Sequence, residues 1–176
     1  MTRSQFEHAI RAAGAILGES EVLVIGSQAI HPSLGDEVLP EAERSIEVDV
    51  SSLEDNDGSK ADLIDGSIGE LSMFQDTFGY YARGVTPRTA VLPAGWRERL
   101  VAYSTPAING ITALCLEPHD LWLSKAIAGR EKDREFCRAL MEREIVEPMT
   151  LRQRLDQVPD LKPAIRDRVL ALIPGD

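Results

Sequence analysis

The sequence predicts an α/β (α+β) protein, a small mixed sheet flanked by helices and followed by a C-terminal helical extension. Three observations carry that prediction. Short apolar runs of strand length, Val22-Leu23-Val24-Ile25 and the alternating Ser45-Ile46-Glu47-Val48-Asp49-Val50, are interleaved with stretches at helical spacing. Breakers separate these runs, among them Gly18, Gly58, Pro93 and Pro118. Beyond Pro118 the apolar pattern is helical. The resulting order is an α/β core over residues 1–117 with a helical region over 118–176 packed on it.

In chain order, residues 6–17 have helical spacing and Gly18 is the stop. Residues 21–25 read as a buried strand, and Ser27 is placed to cap a short helix through Gln28-Ala29-Ile30. Residues 31–43 read as a loop rich in breakers and acids; a strand over 44–50 and a loop through Asp55-Asn56-Asp57-Gly58 follow. Residues 61–74 read as a helix, although Gly66 and Gly69 weaken it. Residues 78–93 are turn-rich, with a strand at Thr89-Ala90-Val91-Leu92, and 96–103 and 111–116 are further strands. Pro118, in a first turn where its missing N–H costs nothing, opens the longest helix, 118–143. Short helices over 151–156 and 161–172 complete the chain.

Composition bounds the function. A chain of 176 residues builds a substantial core as one domain, or as one domain with a helical appendage. No apolar stretch approaches the roughly 20 residues of a membrane span, and the first residues, Met1-Thr2-Arg3-Ser4-Gln5-Phe6-Glu7-His8, lack the apolar core of a signal peptide, so the expected location is the cytoplasm with no membrane partner. Cys115 and Cys137 have no CxxC spacing and read as small buried hydrophobes rather than zinc ligands. The formal charge of −10 repels phosphate backbones and argues against duplex DNA. Basic residues concentrate locally, in 83–99 and 125–143, so an RNA partner requires such a local patch.

The residues that carry chemistry lie early in the chain. Strand alternation sends Glu47 and Asp49 to one face while Ile46, Val48 and Val50 face a core. Two adjacent carboxylates repel unless a cation sits between them, and a divalent metal holding a nucleotide triphosphate is the obvious candidate. Upstream, the Gly26-Ser27 turn after an apolar run reads either as an ordinary helix start or as a phosphate cradle.

Together these residues resemble the signature of nucleotidyltransferase-fold proteins, Gly-Ser at a strand-to-helix turn followed by an acid-x-acid strand. More narrowly, the chain resembles the bacterial nucleotidyltransferase-like proteins related to the AbiEii toxins of type IV toxin–antitoxin systems. The likeness rests on Ile25-Gly26-Ser27-Gln28-Ala29-Ile30 through Ser45-Ile46-Glu47-Val48-Asp49-Val50, and on residues 116–133, where Lys125, a small residue, Arg130 and the Lys132-Asp133 pair follow that group's helix pattern. It spans residues 22–140.

The resemblance implies metal-dependent transfer of NMP from an NTP to an acceptor, RNA or protein, by a toxin component with an antitoxin partner. It implies that Gly26, Ser27, Arg44 and Lys125 bind the nucleotide, that Glu47 and Asp49 hold Mg²⁺ or Mn²⁺, and that Lys125 and Asp133 join these carboxylates as catalytic residues. Three departures open the alternative of a catalytically inactive binding or regulatory protein. Glu47 stands where such proteins carry Asp, the interval from Gln28 to Ile46 is long, and the strand expected over 89–92 contains no third carboxylate.

A helical wheel drawn through the long helix puts Trp122, Ala126, Gly129, Phe136, Cys137 and Leu140 on one stripe. Asp133 falls inside it and Lys125 at its edge, opposite a solvated face of Ser124, Arg130, Glu131, Arg134 and Arg138. An acid there is either a site residue or a buried partner of a basic side chain. The run 130–135 also reads as a solvated face with i,i+4 pairs. His119 reads as structural, and His31 as a secondary site candidate beside the Gly-Ser turn. Tyr80, Tyr81 and Trp96 read first as packing residues and second as base-stacking ones.

Overall fold

The computed structural model describes residues 1–35 and 37–175; Asp36, part of the loop expected over 31–43, lies outside the described residues, as does Asp176. Five strands form one mixed sheet: β1 (Glu21–Val24), β2 (Glu47–Ser51), β3 (Tyr81–Gly84), β4 (Val101–Tyr103) and β5 (Thr112–Cys115). Their order is β3-β2-β1-β5-β4. β1 is central, and Val22, Leu23 and Val24 are fully buried because both of its faces are covered. It runs antiparallel to β2, with Val24 opposite Val50, and parallel to β5. β2 and β3 are parallel, with Glu47 opposite Tyr81 and Asp49 opposite Arg83, and β4 closes the other edge antiparallel to β5.

Among the described residues the α-helices are α1 (Arg3–Leu17), α2 (Pro40–Glu43), α3 (Ser59–Ile68), α4 (Met73–Phe78), α5 (Pro118–Ala128), α6 (Glu131–Glu142), α7 (Pro148–Leu155) and α8 (Pro163–Leu170). α1 opens on a capping box between Thr2 and Gln5 and ends at Gly18 in the left-handed region, as the pattern predicts. It packs against α3, β1 and β2. The mixed sheet flanked by helices is the predicted fold class.

Several element boundaries differ. The strand expected over 89–92 is absent: Pro87–Thr89 forms a 3-10 turn, and the third strand lies earlier, at Tyr81–Gly84. Only the last part of 96–103 is strand, since Arg97–Arg99 is another 3-10 turn. The helix expected over 61–74 breaks at Gly69, where a Cβ would meet the Asp65 carbonyl oxygen at 2.3 Å, and resumes as α4. The helix expected over 118–143 is two helices, because Gly129 at φ 70° ends α5. The wheel drawn through both therefore joins residues of different axes. Part of the loop expected over 31–43 is also helical, as the end of the turn Ser27–Leu34 and as α2.

α5 begins on Glu117, whose carboxylate caps the N–H groups of His119 and Asp120. Asp120, fully buried, accepts from Arg99 at 2.8 and 3.2 Å and from Arg154 of α7 at 3.0 Å. Arg154 also bonds Glu117, and His119 lies 2.6 Å from Glu117 through Nδ1 while its Nε2 accepts from the Glu147 N–H at 2.9 Å. His119 is thus structural, and this network ties the C-terminal helices to the approach of β4. Burial opposes ionisation of Glu117, but His119 and Arg154 hold its pKa down to about 2. Cys115 and Cys137 are buried and unpaired, and burial raises both thiols, Cys137 to about 12. Among the described residues, no helix is long and apolar enough to cross a membrane.

Gly84 fixes how α3 lies on the sheet, since a Cβ there would stand 1.9 Å from the Ala61 carbonyl oxygen. We expect Gly84→Ala to cost about 2 kcal/mol through overpacking against backbone, lowering the melting temperature by roughly 4–8 °C. Gly110→Ala, at φ 82° with open space around it, should cost only about 1 kcal/mol for its left-handed backbone. Calorimetric melting of both variants checks the order.

Candidate functional site

The site forms where β1 leaves the sheet beside β2. Ile25 N–H donates to the Asp49 carbonyl at 3.3 Å, and the chain then turns into the 3-10 helix Ser27–Leu34. Gly26 precedes that helix; Ser27 is its first residue rather than its side-chain cap, which corrects the capping role expected of it. The Ala29 N–H closes the first turn on the Gly26 carbonyl at 2.9 Å. Gly26 is required here for space. A Cβ would lie 2.0 Å from Asp49 Oδ2, so the carboxylate rests directly on the glycine.

Glu47 and Asp49 point the same way from β2, as alternation requires, while Val48 and Val50 are fully buried behind them. Ile46 does not join that buried row; it precedes the strand and is 50% exposed. Each acid faces a partner on the parallel neighbour β3. The Tyr81 hydroxyl donates to Glu47 Oε2 at 3.0 Å, and Arg83 stands in register with Asp49. From the helical side, Lys132 Nζ lies 3.6 Å from Glu47 Oε1.

Lys125 and Arg130 supply the opposite wall. Asp133, 2% exposed, accepts from Arg130 Nε at 2.6 Å and sits 3.5 Å from Lys125 Nζ. Its carboxylate holds these two cations at the α5–α6 junction. The basic-acidic run 130–135 is therefore no mere solvated face with i,i+4 pairs. Arg130 pairs at i,i+3, Lys132 reaches β2, and Glu135 meets Arg44 at 3.3 Å across an exposed gap.

Between the walls lies a cleft of about 470 Å³ whose polar lining includes Glu47, Asp49, Arg83, Lys125 and Arg130, with Gly26 at its base. A smaller cavity of about 170 Å³ adjoins it, sharing Glu47 and Lys125 and reaching Ser27, Arg44, Lys132 and Asp133. The predicted site residues Gly26, Glu47, Asp49 and Lys125 thus meet at one cleft, and Ser27, Arg44 and Asp133 at its neighbour. His31 is not among them. Its ring stacks 4.8 Å from Phe6, its Nε2 lies 2.9 Å from Gln28 Oε1, and burial holds its pKa down to about 4.

Burial, then the adjacent Glu47 charge, raises the Asp49 pKa, and Lys125, Arg83 and Arg130 oppose that rise. Burial and the bond to Glu47 push Tyr81 up to about 12. The sequence pattern leaves Arg83 out of the site, and gives Tyr81 only a base-stacking role, because residues 78–93 read as turn-rich with their strand at 89–92. The alternation Tyr81-Ala82-Arg83 was the available signal.

Among the described residues, no group of three or more His, Cys, Asp or Glu side chains is placed to hold a metal ion. Glu47 and Asp49 are a pair, a donor set suited to an ion that brings further oxygens with it, as Mg²⁺ does on nucleotide phosphates. In comparisons with known proteins, no family model, curated protein or solved structure matches the chain.

The raised Asp49 pKa makes that carboxylate a stability cost at neutral pH. Between the ordinary carboxylate pKa and its own raised value, the folded state binds more protons than the unfolded one, so stability falls as pH rises through that window. Asp49→Asn should therefore melt higher than wild type at pH 7, with the difference shrinking as pH falls below the window. Melting temperatures across pH 3–8 test this, and a variant less stable than wild type at pH 7 would refute it.

Proposed function

We propose that the cleft binds a nucleoside triphosphate with its divalent ion and transfers NMP to an acceptor hydroxyl. The observation that supports this most is the facing of two carboxylates, Glu47 and Asp49, against three cations, Lys125, Arg83 and Arg130, across one cleft. A polyphosphate needs cations for its oxygens, and its metal needs carboxylates. Both are supplied within a volume typical of small-molecule sites, a few hundred Å³.

On this reading the ion supplied with the nucleotide, held by Glu47 and Asp49, offsets charge on the phosphate oxygens. Lys125, Arg83 and Arg130 neutralise what remains. The acceptor oxygen bonds the α-phosphorus as the bond to the bridging oxygen breaks, and pyrophosphate leaves. The proton of the acceptor hydroxyl passes to solvent, and the ion bound with the nucleotide would supply the acidity that lets it leave. The toxin role with an antitoxin partner is part of this proposal by resemblance alone.

A second reading has its own support. Glu47 is already engaged by Tyr81 and Lys132, and Lys125 by Asp133, so the site is internally neutralised. An inactive binding or regulatory protein would carry such a cleft without the chemistry.

Calorimetry with each of the four NTPs, with and without Mg²⁺, separates the readings. Micromolar, Mg²⁺-dependent binding that falls at least tenfold in Glu47→Ala/Asp49→Ala is the expected result. Binding that ignores Mg²⁺ and the double variant supports the inactive reading. Absence of binding to every NTP sinks both nucleotide readings.

A further inference from the structure

The two most exposed large apolar side chains among the described residues stand together at the start of α4. Leu71 is 88% and Met73 83% exposed, and Phe78, at the far end of the same short helix, is exposed as well. α4 buries none of its own residues. Leu63, on the neighbouring α3, adds a fourth exposed apolar side chain. Scattered singly, such residues are ordinary; gathered on one connection and its helix, they mark a contact surface.

The backbone holds this surface in place. Leu71 has φ 63°, in the left-handed region that suits glycine or asparagine rather than a bulky apolar residue. Its N–H donates to Gln75 Oε1 at 2.6 Å, and the Ser72 hydroxyl accepts from the Gln75 N–H at 3.2 Å. The connection is therefore braced, yet neither burial nor backbone preference favours a leucine there. Phe78 is the outer member of a stack of rings. It meets His8 of α1 edge-on at 4.6 Å and Phe74 at 4.9 Å, and Phe74 meets Tyr80 edge-on at 5.7 Å. A surface ordered in this way loses little freedom when a partner covers it.

The charges around it are of one sign. Residues 61–82 include four acids and neither lysine nor arginine. Glu70 adjoins Leu71, and Asp76 lies one turn from Met73 on α4. Both are exposed, and neither has an ion-pair partner among the described residues. Arg11 of α1, whose charge reaches His8 and Tyr80, is engaged by the Ala107 carbonyl at 2.5 Å.

Apolar side chains beside unpaired carboxylates fit a partner that carries lysine or arginine next to its own apolar residues. Two copies of this chain meeting through the same face would bring two sets of these acids together, and anionic lipid or nucleic acid is repelled for the same reason. An extended segment has no free ladder to join at the adjacent edge strand, because α3 packs on β3 and Asp65 Oδ1 accepts from the Gly84 N–H at 2.7 Å.

We propose that Leu71, Met73 and Phe78, with Glu70 and Asp76 beside them, form the docking surface for a cationic amphipathic helix of another protein. This inference is independent of the nucleotide reading.

The test is fluorescence anisotropy of a labelled peptide of leucine and lysine alone, with leucines at i, i+3, i+4 and i+7, titrated with the full chain. Micromolar binding that weakens with salt is expected. Leu71→Asn/Met73→Ser should weaken it at least tenfold, and Glu70→Gln/Asp76→Asn about threefold with a flatter salt dependence. Leu71→Asn alone should melt at or above the wild-type temperature, since asparagine tolerates this backbone, so its weaker binding is not a loss of fold. Met149→Ser, at an exposed apolar residue of α7, and Glu142→Gln/Glu144→Gln, at exposed acids on and just after α6, should bind as wild type does.

Unchanged binding by Leu71→Asn/Met73→Ser, or an equal loss in Glu142→Gln/Glu144→Gln, would show attraction to net charge alone and overturn the proposal. Absence of peptide binding, or equal binding of the same residues in scrambled order, would do the same. Sedimentation velocity of the chain without peptide completes the test. A dimer that forms with rising concentration and is abolished by Leu71→Asn/Met73→Ser would assign the face to a second copy and refute the cationic partner.

Discussion

The close approach of Asp49 to Gly26 is the constraint on which the candidate site depends. β1 and β2 run antiparallel at the middle of the sheet, and β1 must leave it where β2 presents its second acid. Any side chain on Gly26 would occupy the place of the Asp49 carboxylate. The glycine therefore settles two things together: the turn starts close beneath the acid, and the acid is pressed into partial burial. That burial, with the Glu47 charge beside it, raises the Asp49 pKa. A carboxylate held in an unfavourable ionised state is a common mark of a site kept for chemistry rather than for stability.

The surrounding charges answer that strain in layers. Glu47 is met by Tyr81 and Lys132, Asp49 faces Arg83 and Lys125, and Asp133 sits behind holding Lys125 and Arg130 in place. Buried ion pairs contribute little net stability but leave an expensive orphan when one member is lost. Asp133 is thus a positioning residue. It is a buried partner of two cations, Lys125 and Arg130, that line the cleft. The same logic recurs at Asp120, where Arg99 and Arg154 converge and tie the C-terminal helices to the core.

Much of the fold was legible because periodicity and caps spoke clearly. The capping box and Gly18 bound α1, the buried run at 22–25 gave β1, and alternation put Glu47 and Asp49 on one face. What failed, failed where a tertiary contact overrode local pattern. Thr89-Ala90-Val91-Leu92 has strand propensity, but it follows Pro87 and the edge beside β2 is already taken by Tyr81–Gly84. The pairing of Tyr81 and Arg83 with the two acids was therefore invisible, although the register sets them directly opposite. Gly129 reads as a small residue within an apolar stripe, yet its left-handed backbone ends α5 and turns Arg130 back toward the cleft. A one-dimensional wheel has no means of showing that turn.

The overall charge looks at first like an argument against any phosphate ligand. The structure distributes it otherwise. From Ala61 to Ala82 the chain has four acids and neither lysine nor arginine, and this segment forms most of α3, all of α4 and the first half of β3. Its acids Asp62, Asp65, Glu70 and Asp76 are exposed on those helices and their connection. Long-range repulsion between exposed charges decays within about 8 Å at physiological salt, so this acidic segment does not set the potential inside a narrow cleft lined by its own cations. Lys125, Arg83 and Arg130 are what an approaching ligand meets there at contact distance. Net charge governs encounter and solubility, whereas the lining governs which ligand stays. An acidic protein with cations gathered in a cleft therefore presents, at contact distance, a lining richer in positive charge than its surface as a whole.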